Sequence, residues 1–151
     1  MIKRGFTLVE ILIAVGIIGL VSTLVIIPLA SFRDSALLDG AAEEILALLH
    51  EARARTVSSD GASRYGVYLE SDKITLFKGA SFPGAGDPNN KEVSLHNRLI
   101  LTMSNSLVNG LVFERLTGEV ASGGTTTISL VSDNTKSRTI EISSIGAAGL
   151  K

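Results

Sequence analysis

The feature that most constrains this chain is an apolar segment near its N-terminus. Phe6–Phe32 contains 19 apolar residues in 27, and Glu10 carries its single charge. The stretch Ile11–Ala30 has 20 residues without a charge, and as a helix it would span roughly 30 Å, the thickness of a bilayer's hydrocarbon core. Lys3 and Arg4 precede the segment and predict a cytoplasmic N-terminus with the rest of the chain exported. We therefore expect a single membrane-spanning helix, because the run is too long for a cleaved secretory signal.

Residues 33–151 have the composition of an ordinary soluble domain. About 39% of these 119 residues are apolar, which is enough for a hydrophobic core. The chain has no cysteine, which excludes disulfides and thiolate metal sites. Its net charge of −1 excludes a global basic field for nucleic acid. His50 and His96 are too far apart in sequence for a simple metal motif, so we predict neither a metal nor a cofactor.

Glu10 needs an explanation of its own. A carboxylate at the centre of a bilayer costs on the order of 3 kcal/mol. One reading places it at the membrane edge, where the cost is smaller. The other gives it a partner charge, as a carboxylate buried in an apolar bundle requires.

The residues around Glu10 carry a specific pattern. Gly5-Phe6-Thr7-Leu8-Val9-Glu10, behind a basic leader and ahead of an unbroken apolar helix, resembles the processing site of type IV prepilins and of the pseudopilins of type II secretion. The resemblance implies that residues 1–5 are a leader peptide, that a prepilin peptidase cuts between Gly5 and Phe6, and that Phe6 is N-methylated. It also implies that Glu10 pairs with the α-amino group of a neighbouring subunit's first residue.

Three residues weaken the apolar helix: Gly16, Gly19 and Pro28. In bilayers such residues are commonly packing sites or kinks. The resemblance offers a second reading, in which this stretch loosens when the subunit leaves the membrane for a filament.

Beyond residue 32 the helical pattern continues. Apolar residues recur at steps of three and four up to Ala52, which predicts an amphipathic half-helix over residues 33–57. After Gly61 the period changes to two, which predicts a hairpin at 65–69 and 74–76. Further strands are expected at 98–103, 111–115, 125–131 and 138–144, with Asp133-Asn134 as a turn. Residues 79–92 read as a loop.

We therefore predict an α+β fold, in which a long N-terminal helix packs on an antiparallel β-sheet domain. The expected parts are a leader (1–5), a transmembrane and assembly half-helix (6–32), an amphipathic half-helix (33–57) and a β-rich domain (58–151). The run Glu51-Ala-Arg53-Ala-Arg55, followed by a strand, Val112-Phe113, Gly118 and a late Gly146, resembles GspH/FimT-like minor pilins.

Other functional sites find little support in the sequence. Gly61-Ala-Ser63-Arg64 lacks the second glycine of a nucleophile elbow, so no enzyme is predicted. Asp87, Asn89 and Asn90 offer oxygens for calcium without a full ligand set.

Some FimT-like pilins bind DNA through a Gly-Arg-x-Arg motif near the C-terminus. The matching stretch here, residues 146–151, has no arginine and keeps only Lys151, with Lys136 and Arg138 upstream. Two or three cations give only weak attraction for phosphates, so nucleic-acid binding is not expected.

The sequence thus predicts a minor pilin or pseudopilin, a structural subunit of a type IV pilus or a type II secretion pseudopilus. Its expected partners are other pilin subunits, the prepilin peptidase, the inner-membrane assembly platform and the membrane itself. The expected location is the bacterial inner membrane, as a single-pass protein, and then the filament. An alternative is a minor pilin that binds DNA or a surface, with loop 79–92 as the contact.

Overall fold

The structure is a computed structural model that describes residues 5–108 and 110–151, without the side chains of residues 24–28, 30 and 105. The chain divides into two compact units. The first extends to Ala36 and the second is Leu37–Lys151.

The first unit is helical and apolar on all sides. Helix α1 spans Leu8–Val57 and so contributes to both units. Every side chain described between Phe6 and Thr23 is exposed, including Phe6, Leu12 and Ile18. A helix with apolar side chains on every face requires apolar surroundings that this unit does not provide itself.

The second unit contains the C-terminal half of α1 and two antiparallel sheets. The strands are β1 (Tyr65–Leu69), β2 (Lys73–Lys78), β3 (Lys91–Ser94), β4 (Leu99–Met103), β5 (Leu111–Val112), β6 (Gly124–Leu130), β7 (Asp133–Ile142) and β8 (Ala148–Leu150). Sheet A has the order β3-β2-β1-β5 and sheet B the order β4-β6-β7-β8. Every strand pair is antiparallel, so the expected α+β fold is confirmed.

One hydrophobic core joins the helix to both sheets. The apolar face of α1 contributes Leu38, Ala42, Ile45, Leu49 and Ala52, which are all buried. They share a cluster with inward-facing residues of both sheets, namely Val67, Ile74, Leu76, Ile128, Leu130 and Ile140. Burying each large aliphatic side chain contributes about 1.5–3 kcal/mol, which makes this face the main attachment of the helix.

The strand boundaries differ from the prediction in several places. Strand β7 begins at Asp133 rather than at residue 138, β5 ends at Val112 rather than at residue 115, and residues 91–92 of the predicted loop belong to β3. Two short strands, β3 and β8, were not expected. The turn before β7 lies at Val131-Ser132, and the predicted turn at Asp133-Asn134 is wrong because both residues belong to β7. A register shift beside Leu130 pairs it with Asp133, and this irregularity moves the turn.

Arg53 fastens the end of α1 to two turns. Its guanidinium donates to the carbonyl oxygens of Gly118 at 3.3 Å and Ile145 at 3.1 Å. Gly118 and Gly146 both have positive φ, of 68° and 75°. A Cβ on Gly146 would collide with the Gly118 carbonyl and approach Arg53. The two turns can therefore meet around Arg53 only with glycine at residue 146.

Replacing Gly146 with alanine should destabilise the second unit by at least about 2 kcal/mol, because the new Cβ adds a steric clash to an unfavourable φ. Chemical unfolding monitored by circular dichroism measures this loss. Gly149→Ala is the matched control, since a Cβ at that position meets nothing within 4 Å, and it should change stability by no more than about 0.5 kcal/mol. Equal stabilities of the two variants would contradict the collision.

Candidate functional site at the start of helix α1

Thr7 and Glu10 form a reciprocal cap at the start of helix α1. The Thr7 backbone N–H and hydroxyl both donate to Glu10 Oε2, at 3.0 and 2.9 Å. The Glu10 backbone N–H donates to Thr7 Oγ1 at 3.3 Å. This is a capping box, in which a threonine and a glutamate three residues later satisfy each other's backbone donors. Among the contacts of the described residues, those of the Glu10 carboxylate use Oε2.

Thr7 is a capping residue whose role the sequence prediction overlooked. The Thr-x-x-Glu spacing of Thr7 and Glu10 is itself the signature of a capping box. The prediction used Glu10 only for its charge, which the first turn of a helix also favours.

The predicted cleavage site lies immediately before this cap. Gly5 and Phe6 have irregular backbone and are exposed, with Phe6 83% accessible. A Cβ on Gly5 would meet nothing within 4 Å. Residues 1–4, the rest of the predicted leader, lie outside the described residues.

Two hydroxyl groups farther along the first unit are satisfied by the helix itself. Ser22 Oγ donates to the Ile18 carbonyl at 2.7 Å, and Thr23 Oγ1 donates to the Leu20 carbonyl at 2.8 Å. These bonds leave neither hydroxyl with a free donor, which suits an apolar environment. Among the residues that the structure describes, no helix combines the length and apolarity needed to cross a membrane.

Helix α1 continues through the three residues predicted to weaken it. Its bounds, Leu8–Val57, include Gly16, Gly19 and Pro28. A Cβ on Gly16 or Gly19 would meet nothing within 4 Å, so neither glycine is required by packing inside its own unit.

The loop predicted as a contact surface is partly packed onto the domain. The Phe82 ring stacks on Tyr68, with centroids 4.2 Å apart, and meets Phe77 edge to face at 5.5 Å. Asn90 Nδ2 donates to the Gly84 carbonyl at 2.9 Å. Loop 79–92 is thus anchored by an aromatic cluster, which the sequence prediction did not identify.

Of the oxygens considered for calcium, Asp87 Oδ1 is used within this loop, whereas Asn90 Oδ1 is buried without a described hydrogen-bond partner. Asp87 Oδ1 accepts from the backbone and side-chain nitrogens of Asn89, at 2.8 and 2.9 Å. The Asn89 side chain therefore turns its donor toward Asp87. In the described part of the chain, no three His, Cys, Asp or Glu side chains form a group that could hold a metal ion.

Of the cationic residues near the C-terminus, Arg138 is engaged in an ion pair. Arg138 Nε donates to Asp39 Oδ1 at 2.6 Å, and this pair ties β7 to helix α1. The tail forms β8, which pairs with β7 in sheet B. Arg138 is therefore neutralised by Asp39 and does not extend a basic surface from Lys151.

Comparisons with known proteins agree with these observations. Residues 1–26 match the model of the prokaryotic N-terminal methylation motif. The type IV minor pilin FimU of Pseudomonas aeruginosa shares 21% identity with this chain at a TM-score of 0.60, over 76% of this chain and 92% of FimU. The minor pseudopilin EpsH from the type 2 secretion system of Vibrio cholerae shares 16% identity at a TM-score of 0.58, over 76% of this chain and 95% of EpsH.

No curated protein sequence matches this chain significantly. At these identities the likeness to the solved structures concerns the fold. The chain is therefore type IV pilin-like in its N-terminal motif and in its fold.

Lys91, the first residue of β3, connects this strand to helix α1, and this contact predicts a pH dependence. Glu51 accepts from Lys91 Nζ and Arg55 Nη2, both at 2.7 Å. The Lys91 hydrogen bond holds the pKa of Glu51 below its usual value. A lowered folded-state pKa adds stability above the unfolded pKa of about 4.3, and this stability is lost as the pH falls through the folded value.

Lys91→Met should lower the unfolding free energy at pH 7 by less than about 1 kcal/mol, because the pair is partly exposed. The difference from the parent chain should shrink as the pH is lowered below the unfolded-state value of about 4.3, because protonation of Glu51 ends the ion pair. Urea unfolding at both pH values measures it. Lys151→Met removes an exposed lysine without a described side-chain contact, and it should show no such pH dependence.

Proposed function

We propose that this chain is a minor pilin or pseudopilin. It is a structural subunit, made as a precursor and assembled through helix α1 into a type IV pilus or a type II secretion pseudopilus. The methylation motif over residues 1–26 carries the proposal, and the likeness in fold to FimU and EpsH supports it. The Ala- and Arg-rich end of α1 supports a GspH/FimT-like subunit. Because one of these two structures is a type IV minor pilin and the other a pseudopilin, both machines stay within the proposal.

The subunit is proposed to pass through two stages, insertion into the membrane and assembly into a filament. In the first, the uncharged stretch Ile11–Ala30 holds it in the bacterial inner membrane as a single-pass protein, with Lys3 and Arg4 on the cytoplasmic side. A prepilin peptidase cuts between Gly5 and Phe6 and methylates Phe6. In the second, the inner-membrane platform inserts the subunit among other pilin subunits.

Glu10 is the proposed assembly residue. Cleavage creates an α-ammonium group on Phe6, and a buried carboxylate and ammonium stabilise each other when they pair. The capping contact with Thr7 occupies Oε2 only, so Oε1 can accept the ammonium of a neighbouring subunit while the helix start stays capped. Repeated along a filament, this pairing sets the axial register of the subunits.

The apolar N-terminal half of α1 supplies the contact area for assembly. The described side chains from Phe6 to Thr23 are exposed on all sides of α1, and neighbouring helices in a filament would cover them. Gly16, Gly19 and Pro28 are proposed to let this half of the helix loosen on extraction from the membrane, because each has low helix propensity.

Leader removal is the first test of this function. When the chain is produced with a prepilin peptidase in membranes, its mass should fall by residues 1–5 and rise by one methyl group on Phe6. Intact-mass spectrometry of the purified chain measures both changes. Gly16→Val alters a glycine outside the motif core and should be processed normally. A parent chain that stays full length would contradict the proposal.

Glu10 variants test the assembly role. Glu10→Ala should leave membrane insertion and leader removal intact and lower incorporation into filaments at least about tenfold, because losing one partner of a buried charge pair costs roughly 3–5 kcal/mol. Immunoblots of sheared filaments, normalised to the membrane pool, measure incorporation.

Glu10→Gln separates the two roles of this side chain. Glutamine keeps the reciprocal cap with Thr7 but removes the charge. Incorporation of Glu10→Gln should therefore fall nearly as far as that of Glu10→Ala. Normal incorporation of both variants would rule out the ion pair.

A further inference from the structure

A cleft lies where the two sheets of the second unit separate. Phe113, directly after β5, and Val120 form an isolated antiparallel bridge, next to which the Glu114 N–H donates to the Glu119 carbonyl at 2.8 Å. Beyond this bridge, β5 belongs to sheet A, whereas the opposite segment continues into β6 of sheet B. The space between the two segments is a cleft of about 320 Å³, which we call the sheet cleft. Its volume lies at the lower end of the range for small-molecule sites.

Tyr68 fixes two parts of the wall of the sheet cleft. Gly110, which lines the cleft, has a φ of 83° and runs so close to Tyr68 that a Cβ on it would lie 3.1 Å from Cδ2 of the ring. Ser81 also lines the cleft and precedes Phe82, whose ring stacks on Tyr68. A third part is fixed by Ser106, whose hydroxyl donates to a backbone carbonyl at 2.9 Å. Contacts within the domain therefore form the cleft without a ligand.

The edge of β5 turns a backbone donor toward the sheet cleft. The register pairs Leu111 with Val67, and the Phe113 N–H donates to the Tyr65 carbonyl at 3.0 Å. Because alternate residues of an edge strand bond to its single neighbour, the N–H of Val112 points away from β1. Val112 lines the cleft and therefore presents this N–H to it.

The side chains of the lining carry both donors and acceptors. Arg64 and Glu114 form an ion pair at 2.7 Å, and their side chains stay 42% and 49% exposed. Ser81 and Ser122 add exposed hydroxyl groups, each of which can donate and accept. The ion pair holds its two partners together, so that guanidinium donors and a carboxylate acceptor lie side by side at the cleft.

The charges of this region come in pairs of opposite sign. Among the described residues that line the sheet cleft, the charged ones are Arg64 and Glu114. Charged residues in the adjoining turns and strands also balance, as two basic and two acidic side chains: Lys78, Arg115, Asp60 and Glu119. A ligand with a net charge would gain no net Coulomb attraction from such surroundings, which favours a neutral ligand.

An extended peptide fits the sheet cleft less well than a small ligand does. Strand β5 has two residues and presents one outward N–H, which is too short an edge for a ladder of backbone hydrogen bonds. The apolar side chains of the lining include Ala80 and Ala121, which are too small to hold an anchoring side chain. Leu111, only 3% exposed, belongs to the core.

We propose that the sheet cleft binds one ring of a neutral sugar. The hydroxyl groups around such a ring each donate and accept, and they match the serine hydroxyls and the N–H of Val112. Charge-assisted hydrogen bonds with Arg64 and Glu114 supply the strongest contacts. The inference goes beyond the proposed function, which requires no ligand and holds without one.

Saturation-transfer NMR of the full-length chain in lipid nanodiscs tests this site. Nanodiscs avoid glycoside detergents, which would compete for the cleft. The probes are the methyl glycosides of glucose, galactose, mannose and N-acetylglucosamine, in millimolar excess, because a ligand of this size is expected to bind with a Kd of about 1 mM. Tetrahydropyran, the same ring without hydroxyl groups, is the matched ligand control.

At least one methyl glycoside should receive saturation from the parent chain, while tetrahydropyran should not. Ser122→Phe fills the cleft and should abolish the signal. Ser132→Phe makes the same change at an exposed serine in the turn before β7, and it should retain the signal. Absence of saturation for every glycoside, or equal signals from the two variants, would overturn the proposal.

Glu114→Gln guards against misfolding as the explanation of a lost signal. It removes one charged acceptor but keeps the shape of the side chain, and it should unfold at the temperature of the parent chain, because an exposed ion pair contributes little stability. The sugar signal should nevertheless fall at least about fivefold. Glu44→Gln, the same change on the exposed face of helix α1, should leave the signal unchanged. An undiminished signal from Glu114→Gln would refute the proposal.

A neutral peptide, acetyl-tetra-alanine amide, is the competing probe. It offers backbone donors and acceptors to the edge of β5 but carries no hydroxyl group. It should receive no saturation that Ser122→Phe removes. Saturation of this peptide in place of the glycosides would assign the edge of β5 to strand addition and overturn the sugar site.

Discussion

Burial of one face of helix α1 against two sheets is the interaction on which the second unit depends. Ile45 and Leu49 belong to the same core cluster as Val67 of sheet A and Ile128 of sheet B. Polar contacts then fix the helix laterally, through Glu51 and Lys91 on one side and Asp39 and Arg138 on the other. The apolar contact provides most of the free energy, while these partly exposed ion pairs contribute little and mainly define position.

Arg53 shows how a charged residue can organise a fold without an ion pair. Its guanidinium satisfies carbonyls from two turns that are distant in sequence, and glycine at residue 146 allows those turns to touch. Leu116 and Ile145 lie on these turns, and both side chains are exposed. A packing solution inside the domain thus determines which side chains face outward at this end of the helix.

The sequence predicted those parts whose signals are local. The spacing of apolar residues and the helix-breaking residues that follow predicted the end of α1 near Val57, where the helix does end. Strand β8 was missed because Ala148-Gly149-Leu150 has no alternation and pairs only through tertiary contacts. The packing of Phe82 on Tyr68 and the contacts of Arg53 with two turns also join residues that are distant in sequence. The cap formed by Thr7, by contrast, has a local sequence signal that the prediction did not use.

The hydrogen bonds that the Ser22 and Thr23 hydroxyls make within their own helix have a thermodynamic consequence. Since each donates to a carbonyl of its own helix, moving this stretch between two apolar media breaks no hydrogen bond to the surroundings. The partition free energy of the described segment between lipid and a bundle of similar helices should then be small, apart from van der Waals packing between the helices. The direction of transfer then depends on the few charged groups near the start of the segment and on the work done by the assembly machinery.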